Sequence, residues 1–248
     1  MRTLFVNPNI TPEITAHMAA EARRAASPHN EIVPVTGSFG ALYIANRIEA
    51  ALAAHAVLDL LAEHAQGHDA VVVSAFGDPG VWAAKEMLDI PVIGVSEAAF
   101  HVARMLGRRY AIVCMTPRLR TWYVECAHEH GLADGLVAAR YLPTPVDDVT
   151  RAAQDLSDAV LDQCRAAVEE DEAEVVIIGG GPLAGLAHRL APHVSVPLVD
   201  GIACAVRLVE ALAGLGLAAP RSGSFARPEP KPSKGLSPHL AAFIEGKT

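Results

Sequence analysis

The sequence predicts an α/β protein of two pseudo-symmetric lobes, each a parallel sheet flanked by helices, with a site at the lobe interface. Three observations predict it. Short apolar runs such as Val71-Val72-Val73 and Val175-Val176-Ile177-Ile178 alternate with helical patterns along the chain. Near-continuous apolar strands of this kind belong to parallel sheets covered on both faces. The pattern also restarts midway. Leu4-Phe5-Val6 matches Tyr110-Ala111-Ile112, Ile32-Val33 matches Val137-Ala138, Val71–Val73 matches Val176–Ile178, and Pro91–Gly94 matches Pro197–Asp200, all at nearly the same offset. Finally, two strands run into special turns, Ser74-Ala75-Phe76-Gly77-Asp78-Pro79-Gly80 and Gly179-Gly180-Gly181-Pro182. A turn between a parallel strand and a helix exposes backbone N–H groups, and ligands of open α/β sheets bind at such carboxyl ends.

Each element has its own warrant. Leu4-Phe5-Val6 is a buried strand ended by Asn7-Pro8-Asn9; Asn9 or Thr11 caps a helix to about Ala26, with Pro12 in its first turn. Glu31–Val35 is a strand whose Pro34 suits a sheet edge. After the loop Thr36–Gly40 a helix spans about Asn46–Ala65, and the strand Val71–Val73 carries the first special turn. A helix reaches about Leu88, Pro91–Val95 is a strand, and Ser96 caps a helix over Glu97–Leu106. In the second half, strands are expected at Tyr110–Cys114, Leu136–Leu142, Val175–Ile178 and Val196–Asp200. Helices are expected at about Leu119–Gly131, Asp148–Glu169, Leu183–Leu190 and Ile202–Leu215. The tail from Ala219 is Pro-rich and aperiodic, and Ser237 caps a closing helix over Pro238–Ile244. The chain crosses to the second lobe near Glu97–Gly107 and returns near Gly201. Residues 1–97 plus 202–248 then form the first lobe and 98–201 the second.

Composition narrows the function. The 248 residues suffice for two real cores, and 51% hydrophobic with 19% charged residues argues for a folded chain. A net charge of −8 argues against a nucleic-acid partner, which needs a basic face. It leaves room for an anionic substrate, because a nest of amides binds anions even in an acidic protein. No apolar run reaches the roughly 18–20 residues of a membrane span. Met1–Val6 leads straight into a turn and reads as a first strand rather than a signal peptide. Cys114, Cys126, Cys164 and Cys204 are scattered without a CxxC and read as free thiols, which points to the cytoplasm. The eleven histidines lack metal-ligand spacing; His128 and His130 fall on different faces of one helix, so no metal site is expected.

Several stretches together resemble one family. Val6-Asn7-Pro8-Asn9, Phe39–Ile44, Phe76-Gly77-Asp78-Pro79-Gly80, Ile90–Val95, Glu97-Ala98-Ala99 and Val199-Asp200-Gly201 are similar to the aspartate/glutamate/hydantoin racemase superfamily, near its hydantoin racemase branch. The resemblance implies two pseudo-symmetric α/β lobes and a pair of cysteines facing each other across the site. One thiolate removes a proton beside a carbonyl and the other thiol returns one from the opposite face. This chain departs from that pattern. The resemblance places the first cysteine at Ala75 and the second at Gly180. Neither side chain can carry a proton.

Candidates to replace the pair follow from position. Ser74 adjoins Ala75, and its hydroxyl either enters the pocket or bonds local backbone. Asp78 is the carboxylate of the first turn, either a base or anchor or the holder of the loop's shape. Cys114 ends the second-lobe strand matching Leu4–Val6 and either reaches the cleft or packs as a small core residue. Asn7, Asn9, Ser38 and Thr116 lie at carboxyl ends of strands and either hold a substrate's polar edge or cap helices. Ala75, Phe76, Gly77 and Gly179-Gly180-Gly181-Pro182 form the two turns, the glycines offering an anion nest or oxyanion hole. Tyr43, Phe76 and Trp122 either wall a ligand or pack the core.

The favoured reading is a cofactor-independent enzyme acting on a small cyclic ureide or imide such as a hydantoin, or on a carboxylate. Its reaction would be hydrolytic ring opening or decarboxylation or another lyase step on a racemase-type site. Relatives with one cysteine replaced by glycine decarboxylate, though they keep the other cysteine. The alternatives are a hydantoin or amino-acid racemase or epimerase using non-cysteine bases, and a binding protein without turnover. The expected partners are a small-molecule substrate and copies of the same chain, with no cofactor, metal, nucleic acid or membrane.

Overall fold

The computed structural model describes residues 1–143, 148–217 and 219–247. The first lobe starts with β1 (Arg2–Asn7), α1 (Pro12–Ala25), β2 (Glu31–Thr36), α2 (Arg47–His64), β3 (Ala70–Val73), α3 (Val81–Met87) and β4 (Val92–Gly94). After α4 (Val95–Leu106) come β5 (Tyr110–Cys114), α5 (Pro117–Glu129), β6 (Leu136–Tyr141), α6 (Ala152–Asp155), α7 (Ser157–Glu169), β7 (Val175–Ile178), α8 (Leu186–Leu190) and β8 (Leu198–Asp200). Then follow α9 (Gly201–Gly214) and α10 (Pro238–Ile244).

The strands form two parallel four-stranded sheets with the same order, β2-β1-β3-β4 and β6-β5-β7-β8. The duplication in the sequence is therefore a duplication of topology. The central strands are buried throughout, as in β3 and β7, because helices cover both faces. Pro34 lies on the edge strand β2, opposite Phe5, where its missing N–H breaks no ladder. Alternation along β1 sends Phe5 to the face packed toward the second lobe, into a core shared with Phe100, Tyr110 and Val206. Leu4 and Val6 face the other way, into a separate core with Leu61, Val71, Val73 and Leu240. A fully buried side chain of this size contributes about 1.5–3 kcal/mol.

The helices after β4 and β8 change partners. Helix α4 packs on β7 and β8 of the second sheet, and α9 packs on β3 and β4 of the first and on α1. The two helices also pack on each other, with Gly201 set so closely against the Val95 carbonyl that a side chain there would overlap it. This exchange locks the lobes together and brings the carboxyl ends of β3 and β7 face to face.

Three elements differ from expectation. Helix α4 begins at Val95 with Gly94 as its N-cap, so Ser96 lies in the first turn rather than at the cap. Its first-turn N–H groups are satisfied by a carboxylate from elsewhere, which frees the cap position. The stretch expected as a helix over Leu183–Leu190 is a 3-10 turn at Gly181–Leu183 followed by the short α8, because Gly185 adopts φ 80. The helix expected over Asp148–Glu169 is broken at Leu156, and Asp148 instead forms a turn, its carboxylate accepting from the Thr150 amide and hydroxyl. Among the described residues, no helix is long and apolar enough to cross a membrane.

Candidate active site

The first turn is braced from several sides. Ser74 continues β3, its N–H and its hydroxyl both donating to the Val6 carbonyl, the latter at 2.8 Å. The chain then turns through Gly77 (φ 104) and Asp78 (φ 47). Any side chain at Gly77 would overlap the Trp122 ring. The Gly77 N–H donates to Ser96 Oγ at 3.0 Å. The Asp78 carboxylate accepts the N–H groups of Ser96 (2.9 Å) and Glu97 (2.6 Å), which are unpaired donors of the first turn of α4. It also bonds His130 Nε2 at 3.1 Å, with both side chains almost wholly buried. Asp78 thus ties its turn to α4 of the crossover and to the end of α5 in the second lobe.

The second turn has no such side chains. Gly179 donates its N–H to Val113 at 2.8 Å, and Gly180 takes φ 122, a conformation that L residues rarely adopt. The bracing carboxylate here is Asp200, which caps α9 through Ile202 N (2.9 Å) and Ala203 N (3.3 Å). It reaches back to the Gly185 N–H at 2.8 Å. Burial is the largest influence on its carboxyl and raises its pKa, against the pull of the Gly185 amide, with Glu21 nearby adding to the rise.

Unpaired backbone donors lie on both turns. The N–H groups of Ala75 and Phe76 on one side, and of Gly180 and Gly181 on the other, have no hydrogen-bond partner among the described residues. Two adjoining cavities of about 10 Å³ and 20 Å³ lie there, each with room for about one water molecule. Ser74, Phe76 and Gly181 line both. The first cavity also meets Gly180 and Asp200; the second meets Asn7, Asn9, Tyr43, Ala75, Tyr123 and Pro182. Phe76 is clamped by Tyr123 at 4.5 Å and Phe100 at 5.8 Å between ring centroids.

Asn7 and Asn9 reach the site through a buried network. Asn7 Nδ2 donates to Asn9 Oδ1 (2.9 Å) and Thr15 Oγ1 (2.8 Å), and Asn9 Oδ1 accepts the Thr11 N–H (3.0 Å). Tyr43 comes from the loop before α2, and its buried hydroxyl has no partner. Leaving a buried hydroxyl unpaired costs about 1–3 kcal/mol. Burial pushes its pKa up, and the neighbouring Cys114 and Glu49 add to this. The Tyr123 phenol is likewise held well above its ordinary range, first by burial and then by Tyr43 and Cys114.

Among the candidates from sequence, Asn7, Asn9, Tyr43, Ser74, Ala75, Phe76, Gly180, Gly181 and Pro182 line the cavities. The others do not. Asp78 lies behind the first turn. Gly77 and Trp122 pack on each other, and Gly179 packs on the Tyr123 ring. Ser38 is exposed, and Thr116 caps α5 by accepting the Leu119 N–H at 3.3 Å. Cys114 is fully buried, its Sγ bonded to the Thr116 and Arg140 carbonyls, and burial pushes its thiol up to about 12. Sequence reasoning passed over Tyr123 and Asp200 as site residues. Trp122 and Tyr123 adjoin on one helix, about 100° apart around its axis, so choosing between them needs the orientation of α5. Asp200 was visible only as part of a resembling stretch.

One group among the described residues has metal-binding proximity: ligand atoms of Asp78, Cys126 and His130 lie within 4.8 Å of one another. Both Asp78 oxygens already accept backbone N–H groups, and burial and then Asp78 push the Cys126 thiol up. This chemistry fits a buried hydrogen-bonded brace better than a thiolate site.

Comparison with known proteins places this geometry. The family model described as Asp/Glu/Hydantoin racemase matches residues 4–209. A hydantoin racemase of Paenarthrobacter aurescens is 31% identical over 237 residues, covering 93% of this chain and 99% of its own. The structure of an allantoin racemase from Klebsiella pneumoniae superposes with a TM-score of 0.91 at 35% identity, covering 97% of this chain and 98% of that one. An allantoin racemase from Pseudomonas fluorescens gives 0.90 at 35%, covering 95% and 100%. These likenesses overturn the expectation of hydrolytic ring opening or decarboxylation. These three relatives, each matched over nearly its whole length, bear the names of racemases, which accord with the racemase alternative.

Proposed function

The chain belongs to the Asp/Glu/hydantoin racemase family, and we propose that it is an isomerase that racemises or epimerises a small hydantoin-like cyclic ureide. The reacting atom is the ring carbon beside a carbonyl. The observation that carries this reading is the likeness to allantoin racemases at 35% identity over nearly the whole of both chains.

The geometry supplies a physical route. Removing a proton beside a carbonyl gives a planar enolate whose charge sits on oxygen, and fixed donors aimed at that oxygen lower the barrier. The unpartnered N–H groups of Ala75 and Phe76, and of Gly180 and Gly181, one set from each lobe, are available for that role. A planar intermediate can be reprotonated from either face, which is racemisation. The two-thiol route is closed to this chain, because Ala75 and Gly180 stand at the cysteine positions. In this reading Ser74 and Asp78 hold the shape of the first turn. Phe76 lines both cavities, each with room for about one water molecule, so a bound five-membered ring needs more space than either provides.

Enantiopure 5-substituted hydantoins and allantoin, incubated with the protein in D2O, provide the test. Loss of optical rotation together with one deuterium incorporated at the ring carbon is the expected result. Consumption of substrate to a new product, or thermal stabilisation by ligand with neither exchange nor product, would sink the isomerase reading.

A further inference from the structure

We propose that the hydroxyls of Tyr43 and Tyr123, one from each lobe, are catalytic: as neutral donors they hold the ligand's carbonyl oxygen while it becomes an enolate. This rests on the isomerase reading and names side chains for it. Both tyrosines line one cavity with Ala75 and Gly181. The Tyr43 hydroxyl is buried without a partner, although every other contact of the ring would be kept by a phenylalanine. The Tyr123 hydroxyl lies 3.7 Å from the position a Cβ would take at Gly180. It therefore borders the space that a cysteine side chain would enter from that position. Its ring is fixed between Phe76 at 4.5 Å and Trp122 at 5.8 Å, so packing sets where the oxygen points.

Burial keeps both phenols protonated through neutral pH. A proton-bearing phenol is what an enolate oxygen needs, as in ketosteroid isomerase, where a tyrosine serves an oxyanion hole. The proton balance closes with water. The ring C–H bond breaks, its electron pair forms the C=C bond of the enolate as the carbonyl π pair moves onto oxygen, and its proton passes to a hydroxide ion taken up from bulk solvent, which becomes water. The enolate oxygen accepts the two phenol hydrogen bonds. Water on either face then returns a proton to carbon, which regenerates hydroxide. Neither tyrosine changes charge, and each turnover replaces the ring hydrogen with one from solvent.

The test uses the full chain and the variants Tyr43→Phe and Tyr123→Phe. Each removes one oxygen, and Tyr43→Phe should melt at or above the wild-type temperature because the lost hydroxyl had no partner. The expected result is a fall in kcat for deuterium exchange of about 100-fold or more in each variant, with KM changed less than about threefold. A second readout does not need turnover. 5-Benzylidenehydantoin has a planar ring carbon and absorbs in the near ultraviolet, and hydrogen bonds to its carbonyl shift that band. Wild type should bind it with a shift that shrinks in both variants. Wild-type exchange and binding retained in both variants overturns the tyrosine proposal alone. Binding and a tyrosine-dependent shift without wild-type exchange upholds the donors and overturns the isomerase reading. Neither exchange nor binding in wild type overturns both.

Discussion

The two opposed turns share one strand–turn–helix plan, yet their bracing carboxylates sit in exchanged places. In the first lobe Asp78 lies on the turn after β3 and reaches across to the N–H groups at the start of α4. In the second lobe Asp200 lies at the end of β8, caps α9 directly, and reaches back to the turn before α8. Gly94 and Asp200 are equivalent, since Val73 pairs with Gly94 in one sheet and Ile178 with Asp200 in the other. A side chain at Gly94 would overlap the Asp78 carboxylate. Each lobe thus needs one carboxylate to tie its turn to the next helix, and either position can supply it, but only one at a time. The difference shows that duplication preserved the job while letting the residue move.

The two braces also differ in strength. Asp78 bonds a buried histidine from the other lobe, whereas Asp200 holds only backbone donors. Leaving a buried hydrogen-bonding group unpaired costs about 1–3 kcal/mol, and Asp78→Ala strands the Ser96 and Glu97 N–H groups and His130 together, whereas losing an N-cap costs about 1 kcal/mol. Urea unfolding should therefore show Asp78→Ala losing about 3 kcal/mol or more and Asp200→Ala about 1–2 kcal/mol. Equal losses would break the comparison. A sharper variant transplants the second lobe's arrangement: Asp78→Gly with Gly94→Asp. The backbone at Gly94, φ −86 and ψ 151, accepts any residue. The double variant should recover about 1 kcal/mol over Asp78→Gly alone, the value of a cap. No recovery would mean that the exchange is accidental.

The pH dependence of Asp200 is a smaller effect with a definite sign. Its folded pKa is raised above the unfolded value, chiefly by burial. Its contribution to stability is thus fully present below the unfolded carboxylate range, near pH 4, and is lost as pH rises through the raised value. Asp200→Asn should flatten that part of the stability profile, and an unchanged slope would count against the assigned shift. The smallest effect is expected from thiol chemistry. Cys114, Cys126, Cys164 and Cys204 are free, and burial lifts each thiol well above its ordinary range. Iodoacetamide at pH 8 should leave activity unchanged, in contrast to a two-thiol site; inactivation would return a cysteine to the mechanism.

Much of the fold was legible because strands and helices announce themselves locally. The eight apolar runs, their duplicated spacing and the edge position of Pro34 all follow from periodicity and backbone chemistry. The site was legible where it is backbone: Ala75, Phe76, Gly180 and Gly181 do line the cavities. It was less legible where side chains point. Tyr123 and Trp122 are neighbours in sequence, but one borders the cavity and the other packs behind Gly77.

By itself, then, the sequence determined the two parallel sheets and the turns that end β3 and β7. These depend on residue type and short-range spacing. Only the tertiary structure decided that Asp78 braces α4 and His130, that Asp200 does the matching work, and that Tyr43 and Tyr123 line one cavity. Those facts join residues far apart in the chain, and their geometry is set by how α4, α5 and α9 pack across the lobes.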